Sequence, residues 1–160
     1  TVYFGDATNL NTLKAAKADE ADLLIAAIDP PEVNQRLVEM VKKHFPNLKI
    51  LVRARNRFDA YYYLNEGHEK VYRETFYTAI QVGVDALQEL GMNHDEAVRQ
   101  GEIFKIADRA SLKKLSKHSH NLEEYISVSR EEIEKVKQKL QEGMNLEMVI
   151  LEEETHPEKS

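Results

Sequence analysis

Apolar residues fall in short runs up to about residue 72 and in long stripes of helical spacing after it. Val2 to Phe4 is a short apolar run ended by Gly5-Asp6-Ala7-Thr8, which predicts a strand and a turn. Leu10, Leu13, Ala16 and Ala18 lie near helical spacing, with Asn9 or Asn11 as cap. Leu23 to Ile28 is continuously apolar, the pattern of a strand buried on both faces of a parallel sheet. Asp29-Pro30-Pro31 ends that run and suits a helix start. The helix it starts carries Val33, Leu37, Met40, Val41 and Phe45 on one face and breaks at Pro46-Asn47. Ile50 to Val52 predicts the next buried strand, leading to Arg53-Ala54-Arg55-Asn56. Phe58 to Leu64 predicts a helix closed by Gly67, and Lys70 to Tyr72 a last short strand. Three helices follow, over 75–90, 95–115 and 122–140, the third rich in i,i+4 pairs such as Glu131–Lys135. Met144 to Leu151 reads as a weak edge strand or an ordered tail, and Glu152 to Ser160 as disordered.

Alternation of strand and helix predicts an α/β fold, a Rossmann-like parallel sheet with right-handed crossovers, followed by a helical C-terminal extension. The expected organisation is 1–72 as the C-terminal half of a Rossmann-like domain, 73–142 as a helical region and 143–160 as a partly disordered tail. The G-x-G-x-x-G turn that normally follows the first strand of a dinucleotide site is absent. The chain therefore reads as a fragment, with the N-terminal half of a doubly wound unit missing.

The 160 residues carry a formal charge of −6, from 28 acidic and 22 basic side chains. That balance argues against nucleic acid as a partner, because phosphate backbones select basic surfaces. No cysteine is present, which excludes a disulfide framework, a thiol nucleophile and a Cys-ligated zinc site. No run approaches the roughly 18 consecutive apolar residues of a spanning helix.

Ligands of open parallel sheets bind beyond the carboxyl ends of the strands. Three segments meet that condition: Asp6-Ala7-Thr8, Ala27-Ile28-Asp29 and Arg53-Ala54-Arg55. Asp6 and Thr8 offer hydrogen bonds to a base or ribose, small Ala26 and Ala27 admit a planar ring, and Arg53 and Arg55 form an anion clamp. The competing reading makes Asp6 and Asp29 turn and cap residues. Arg73 precedes a helix N-terminus, which suits either carboxylate capture or pairing with a local acid such as Glu74. His118-x-His120 lies in a Lys-rich stretch with no nearby carboxylate and reads as a loop rather than a metal site. Glu123-Glu124 and Glu131-Glu132 read as a solvated helix face, and Tyr61-Tyr62-Tyr63 as packing first and an interface second. No catalytic constellation and no metal site emerge.

Five segments then stand out together: Val2 to Thr8, Leu24 to Asp29, Val41 to Pro46, Val52 to Arg55 and Glu69 to Phe76. In order, and without large gaps over about residues 1–91, they resemble the KTN (RCK-type) regulatory domain of Kef glutathione-gated potassium efflux systems. Arg73-Glu74-Thr75-Phe76 is the more specific block. The resemblance implies a homodimer paired through its helices and an adenine nucleotide, AMP or NAD(H), in the sheet crevice. It also implies glutathione as the inhibitory ligand, displaced by glutathione S-conjugates that open the transporter. By the same resemblance Asp6, Ala7 and Thr8 face the nucleotide, and the strand-end position adds Ala27 and Asp29 to that expected site. Arg73 grips glutathione, and Asp108 occupies the position of a family asparagine that contacts it. Expected partners are the membrane transport domain of the same polypeptide and an accessory oxidoreductase, at the cytoplasmic face of the bacterial inner membrane. The alternatives are an RCK domain gated by nucleotide or cation, and a fragment of a nicotinamide-dependent oxidoreductase.

Overall fold

The structure, a computed structural model, describes residue 2 and residues 4–142. The chain divides into two compact units, Thr1–Glu74 and Thr75 onward. The expected boundary lay two residues earlier.

In the first unit, α1 (Leu10–Ala15) leads to β1 (Leu23–Ala26), α2 (Pro31–His44), β2 (Lys49–Ala54), α3 (Arg57–Asn65) and β3 (Val71–Arg73). The strands pair in parallel in the order β1-β2-β3, with Ala26 opposite Val52 and Ala54 opposite Arg73. Right-handed crossovers in that order place α2 and α3 on one face of the sheet. The residues facing them, Ala26, Val52 and Ala54, are fully buried, as are Val38, Val41 and Tyr63 from the helices. Caps explain the boundaries. Asn9 accepts from Asn11 N–H, Asn56 accepts from Asp59 N–H, and Pro31 opens α2, where its missing N–H costs nothing. Gly67 sits at φ +82° after α3, a conformation that favours glycine.

Two expectations need correction here. Leu23–Ile28 is not a strand buried on both faces: β1 ends at Ala26, and Leu23 and Ile25 are 47% and 65% exposed. Successive strand residues alternate faces, so Leu24 and Ala26 meet the helices while Leu23 and Ile25 point the other way. Of the expected strand over 2–4, Val2 and Phe4 are described; both are exposed and neither is in a strand. The expected segments over 143–160 lie outside the described residues.

The second unit holds α4 (Phe76–Glu89), α5 (His94–Lys117) and α6 (Leu122–Glu142). Asn93 caps α5 by accepting from Glu96 N–H, and acids in the first turn with lysines in the last complement the helix dipole. The α4–α5 crossing is close: a Cβ added at Gly101 would lie 2.7 Å from Val84 Cγ2 and 3.4 Å from Ile80 Cγ2. The α5–α6 seam is ionic. Lys114 Nζ lies 2.9 Å from Glu132 Oε1, and Lys135 bridges Glu131 and Glu132 at 2.7 and 3.2 Å. Glu132, expected on a solvated face, has a side chain only 12% exposed. Burial disfavours its charged form, but the hydrogen bonds from Lys114 and Lys135 outweigh that and hold its carboxyl below the usual range. Among the described residues no helix is long and apolar enough to cross a membrane.

Candidate functional site

Parallel strands end on one edge, so the residues that close β1, β2 and β3 gather there. Asn34 of α2 ties this edge together. It is 1% exposed. Its Oδ1 accepts from Ile28 N–H at 3.2 Å. Its Nδ2 donates to Ala26 O and Arg53 O, both at 3.3 Å, and to Tyr63 Oη at 3.0 Å. One amide thus fixes the end of β1, the end of β2 and α3. Burial pushes the Tyr63 hydroxyl up to about 12, so it stays protonated and hydrogen-bonding. Asp59 does a similar job one strand over. Its Oδ2 accepts from Arg55 N–H at 2.8 Å and its Oδ1 from Gln35 Nε2 at 3.2 Å.

Arg53 stands at the centre of the edge. Its Nη2 lies 2.8 Å from Asp29 Oδ1 and its Nη1 lies 3.0 Å from Glu74 Oε2. The hydrogen bond to Asp29 is the main reason its charge is held so firmly. Arg53 Nε is buried and has no acceptor among the described residues. The expected clamp of Arg53 with Arg55 is therefore differently arranged: Arg53 is engaged by two carboxylates, and Arg55 is exposed. Asp29, expected at a nucleotide, is a partner of Arg53 here. Ala27 is exposed beside it, whereas Ala26 is fully buried against the helices and has no free face for a ring.

Arg73 is partly buried and closes β3. In register, Arg53 faces Tyr72 while Arg73 faces Ala54. Side chains alternate along a strand, so the two arginines leave the sheet on opposite faces. Asp108, its expected companion, is a buried residue of α5 in the second unit.

Asp6 and Thr8 form a tight turn ahead of α1. Asp6 Oδ1 accepts from Thr8 Oγ1 at 2.7 Å and from Thr8 N–H at 2.8 Å. The Thr8 hydroxyl bond, then the backbone bond, holds the exposed Asp6 carboxyl below the usual range. Both bonds fall on Oδ1, and Oδ2 accepts neither. Ala7, between them, is partly buried. A Cβ on Gly5 would meet Thr12 Cγ2 at 2.7 Å, so glycine lets the turn lie against α1.

Among the remaining candidates, His118 caps α5, and its Nδ1 lies 3.2 Å from Glu124 Oε2. The sequence had placed no carboxylate near it; the α5–α6 turn supplies one. Tyr61 and Tyr63 are buried, while Tyr62 donates to Glu39 across α2 and α3. Sequence reasoning missed Asn34 and Asp59, and offered Glu74 as a partner of Arg73 rather than of Arg53. The available signal for Asn34 was a polar residue next to Val33 and three and four positions before Leu37 and Val38 on an apolar helix face.

Comparison with known proteins agrees with this two-part layout. Residues 1–74 match the TrkA-N domain, and residues 78–157 match the potassium efflux system KefB C-terminal domain. Glutathione-regulated potassium-efflux system protein KefC from two Escherichia coli strains, O139:H28 (E24377A / ETEC) and O9:H4 (HS), is 46% identical over 105 residues. The match covers 65% of this chain and 17% of each relative. A solved structure, the Shewanella denitrificans Kef CTD in AMP bound form, superposes with a TM-score of 0.71 at 43% identity. It covers 73% of this chain and 74% of that one. The parallel sheet, the helical extension and both family matches lead to one conclusion: this chain belongs to the Kef family of potassium efflux systems, as its Rossmann-like KTN/RCK domain with the helical C-terminal extension.

Proposed function

We propose that this chain is the ligand-sensing regulatory domain of a potassium:proton efflux transporter, at the cytoplasmic face of the bacterial inner membrane. In this reading an adenine nucleotide occupies the sheet edge at Asp6-Ala7-Thr8 and Ala27-Asp29. Glutathione, held by Arg73 and Asp108, keeps the transporter closed, and glutathione S-conjugates open it. The observation that carries the reading is the 43% identity to a Kef domain described as AMP bound, set beside the Asp29–Arg53–Glu74 cluster at the strand ends. Two ligands for one site move a gate only through their different affinities for its two arrangements. The chain works as a homodimer: α4 is rich in apolar residues but buries only Val84, leaving Tyr77 and Val82 54% and 62% exposed. Exposed apolar side chains of that kind fit a second copy. Its other partners are the membrane transport domain and an accessory oxidoreductase.

Calorimetric titration of the full-length protein tests this. Glutathione and AMP both bind, and Arg73→Ala weakens glutathione by at least about tenfold while AMP is unaffected, as expected for a lost charge-assisted hydrogen bond. Unchanged glutathione affinity in Arg73→Ala would refute the assignment. The TrkA-N match over 1–74 supports a second reading, an RCK domain gated by nucleotide alone. It predicts AMP binding with no glutathione binding at all.

A further inference from the structure

One contact at the sheet edge plays no part in the proposed function. Glu74 is the last residue of the first unit, and Thr75 begins the second. Two bonds hold Glu74 to the sheet: its N–H donates to Ala54 O at 2.9 Å, and its Oε2 meets Arg53 Nη1 at 3.0 Å. Thr75, which follows, caps α4 without any side-chain hydrogen bond. The exit of the chain from β3 is therefore fixed through Arg53, and the same guanidinium grips Asp29 at the end of β1. Arg53 thus links the end of β1 to the residue that follows β3, both within the first unit.

Charge decides what happens when an anion arrives. One guanidinium already faces two carboxylates, so the cluster is negative overall. An incoming phosphate or carboxylate cannot simply add to it; it binds Arg53 only by displacing a partner. Both present partners are replaceable, because their side chains are 59% and 45% exposed and such ion pairs are weak. Asp29 follows Ile28, whose N–H is locked to buried Asn34. Glu74 has no comparable anchor beyond its single backbone bond. The buried Nε–H without an acceptor adds a further reason for the guanidinium to leave its present pose.

We infer that Arg53 is a coupling residue: a phosphate- or carboxylate-bearing ligand at the strand ends takes Arg53 from Glu74 and so frees the chain where it leaves the sheet. The inference rests on the ligand-sensing reading above and names the route by which binding leaves the sheet. By reciprocity, whatever weakens the Arg53–Glu74 pair must strengthen binding of that ligand by the same factor that the ligand weakens the pair.

The test is hydrogen exchange at the residue 74 amide and the first turn of α4, on the full-length protein, with AMP and glutathione added separately. One arm identifies the nucleotide phosphate as the displacing anion, the other the glutathione carboxylates. Wild-type exchange at residue 74 accelerates about tenfold when the effective ligand is added, a typical coupling magnitude. Glu74→Gln exchanges faster without ligand, no longer responds to it, and binds that ligand several-fold more tightly. Glu74→Asp restores part of the response, which a merely structural role would not require. If AMP or glutathione binds wild type with no change at residue 74, the coupling is wrong while the ligand reading survives. If neither ligand binds at all, both are wrong.

Discussion

Replacing Asn34 with alanine removes one buried amide and disturbs four groups at once. Ile28 N–H, Ala26 O, Arg53 O and Tyr63 Oη each lose a partner between 3.0 and 3.3 Å away. A net hydrogen bond is worth about 1 kcal/mol, and a buried group left without one costs about 1–3 kcal/mol. The four effects do not add, because water reaches the strand ends more easily than the core. A loss of about 3 kcal/mol is expected. For a unit of 74 residues that corresponds to a fall in Tm of roughly 12–24 °C. Tyrosine fluorescence during urea unfolding follows this unit well. There is no tryptophan, and five of the seven tyrosines, Tyr3, Tyr61, Tyr62, Tyr63 and Tyr72, lie in it. Asn34→Asp is the sharper variant. It keeps an acceptor for Ile28 N–H but sets a carboxylate against two carbonyl oxygens, and it destabilises at least as much as alanine at pH 7. A change below about 0.5 kcal/mol in either variant, the size typical of neutral surface substitutions, would refute the claim that this amide holds the strand ends.

Two further outcomes follow from the packing and the titrating groups. Gly101→Ala drives a Cβ to 2.7 Å from Val84 Cγ2; overpacking of about 1–3 kcal/mol outweighs the roughly 1 kcal/mol of helix propensity gained. A net loss of about 1 kcal/mol in thermal unfolding is expected, and a gain in stability would show that α4 and α5 separate freely. His68 stacks edge-on to Tyr63, and burial, aided by Lys42, holds its pKa below the ordinary 6.5. A depressed pKa means the unfolded chain takes up the proton first, so stability is full above 6.5 and is lost as pH falls through the folded value. Wild type therefore loses more Tm between pH 7.5 and 5.5 than His68→Gln does, and equal losses would rule out this contribution.

The helices and their ends were legible because their signals are local. Asn9, Pro31 and Gly67 act within a few residues, and the structure uses each of them. The strand sites were legible as positions, since any parallel sheet gathers its strand ends on one edge. Pairing was not legible, because it depends on residues far apart in sequence. Leu23 and Ile25 looked doubly buried because an apolar run says nothing about what covers the second face. Glu132 looked solvated because Lys114, which covers it, is 18 residues away. Asn34 was passed over because the apolar stripe of α2 was counted by its hydrophobic members, and its one polar member is the residue that reaches the strand ends.

The same distinction governs the chemistry of the edge. Read along the sequence, Arg53, Arg55 and Arg73 suggest a surplus of positive charge waiting for anions. In space, Asp29 and Glu74 sit on Arg53, the Asp59 carboxylate accepts from the Arg55 backbone, and the strand register sends Arg73 to the other face. One guanidinium meets two carboxylates, so the Arg53 cluster holds no surplus positive charge before any ligand arrives. A cluster without surplus positive charge does not accumulate anions; it exchanges them. Binding there must break an internal ion pair. A site built from breakable pairs turns occupancy into a change of internal contacts, whereas a simple excess of positive charge would bind an anion and change nothing else.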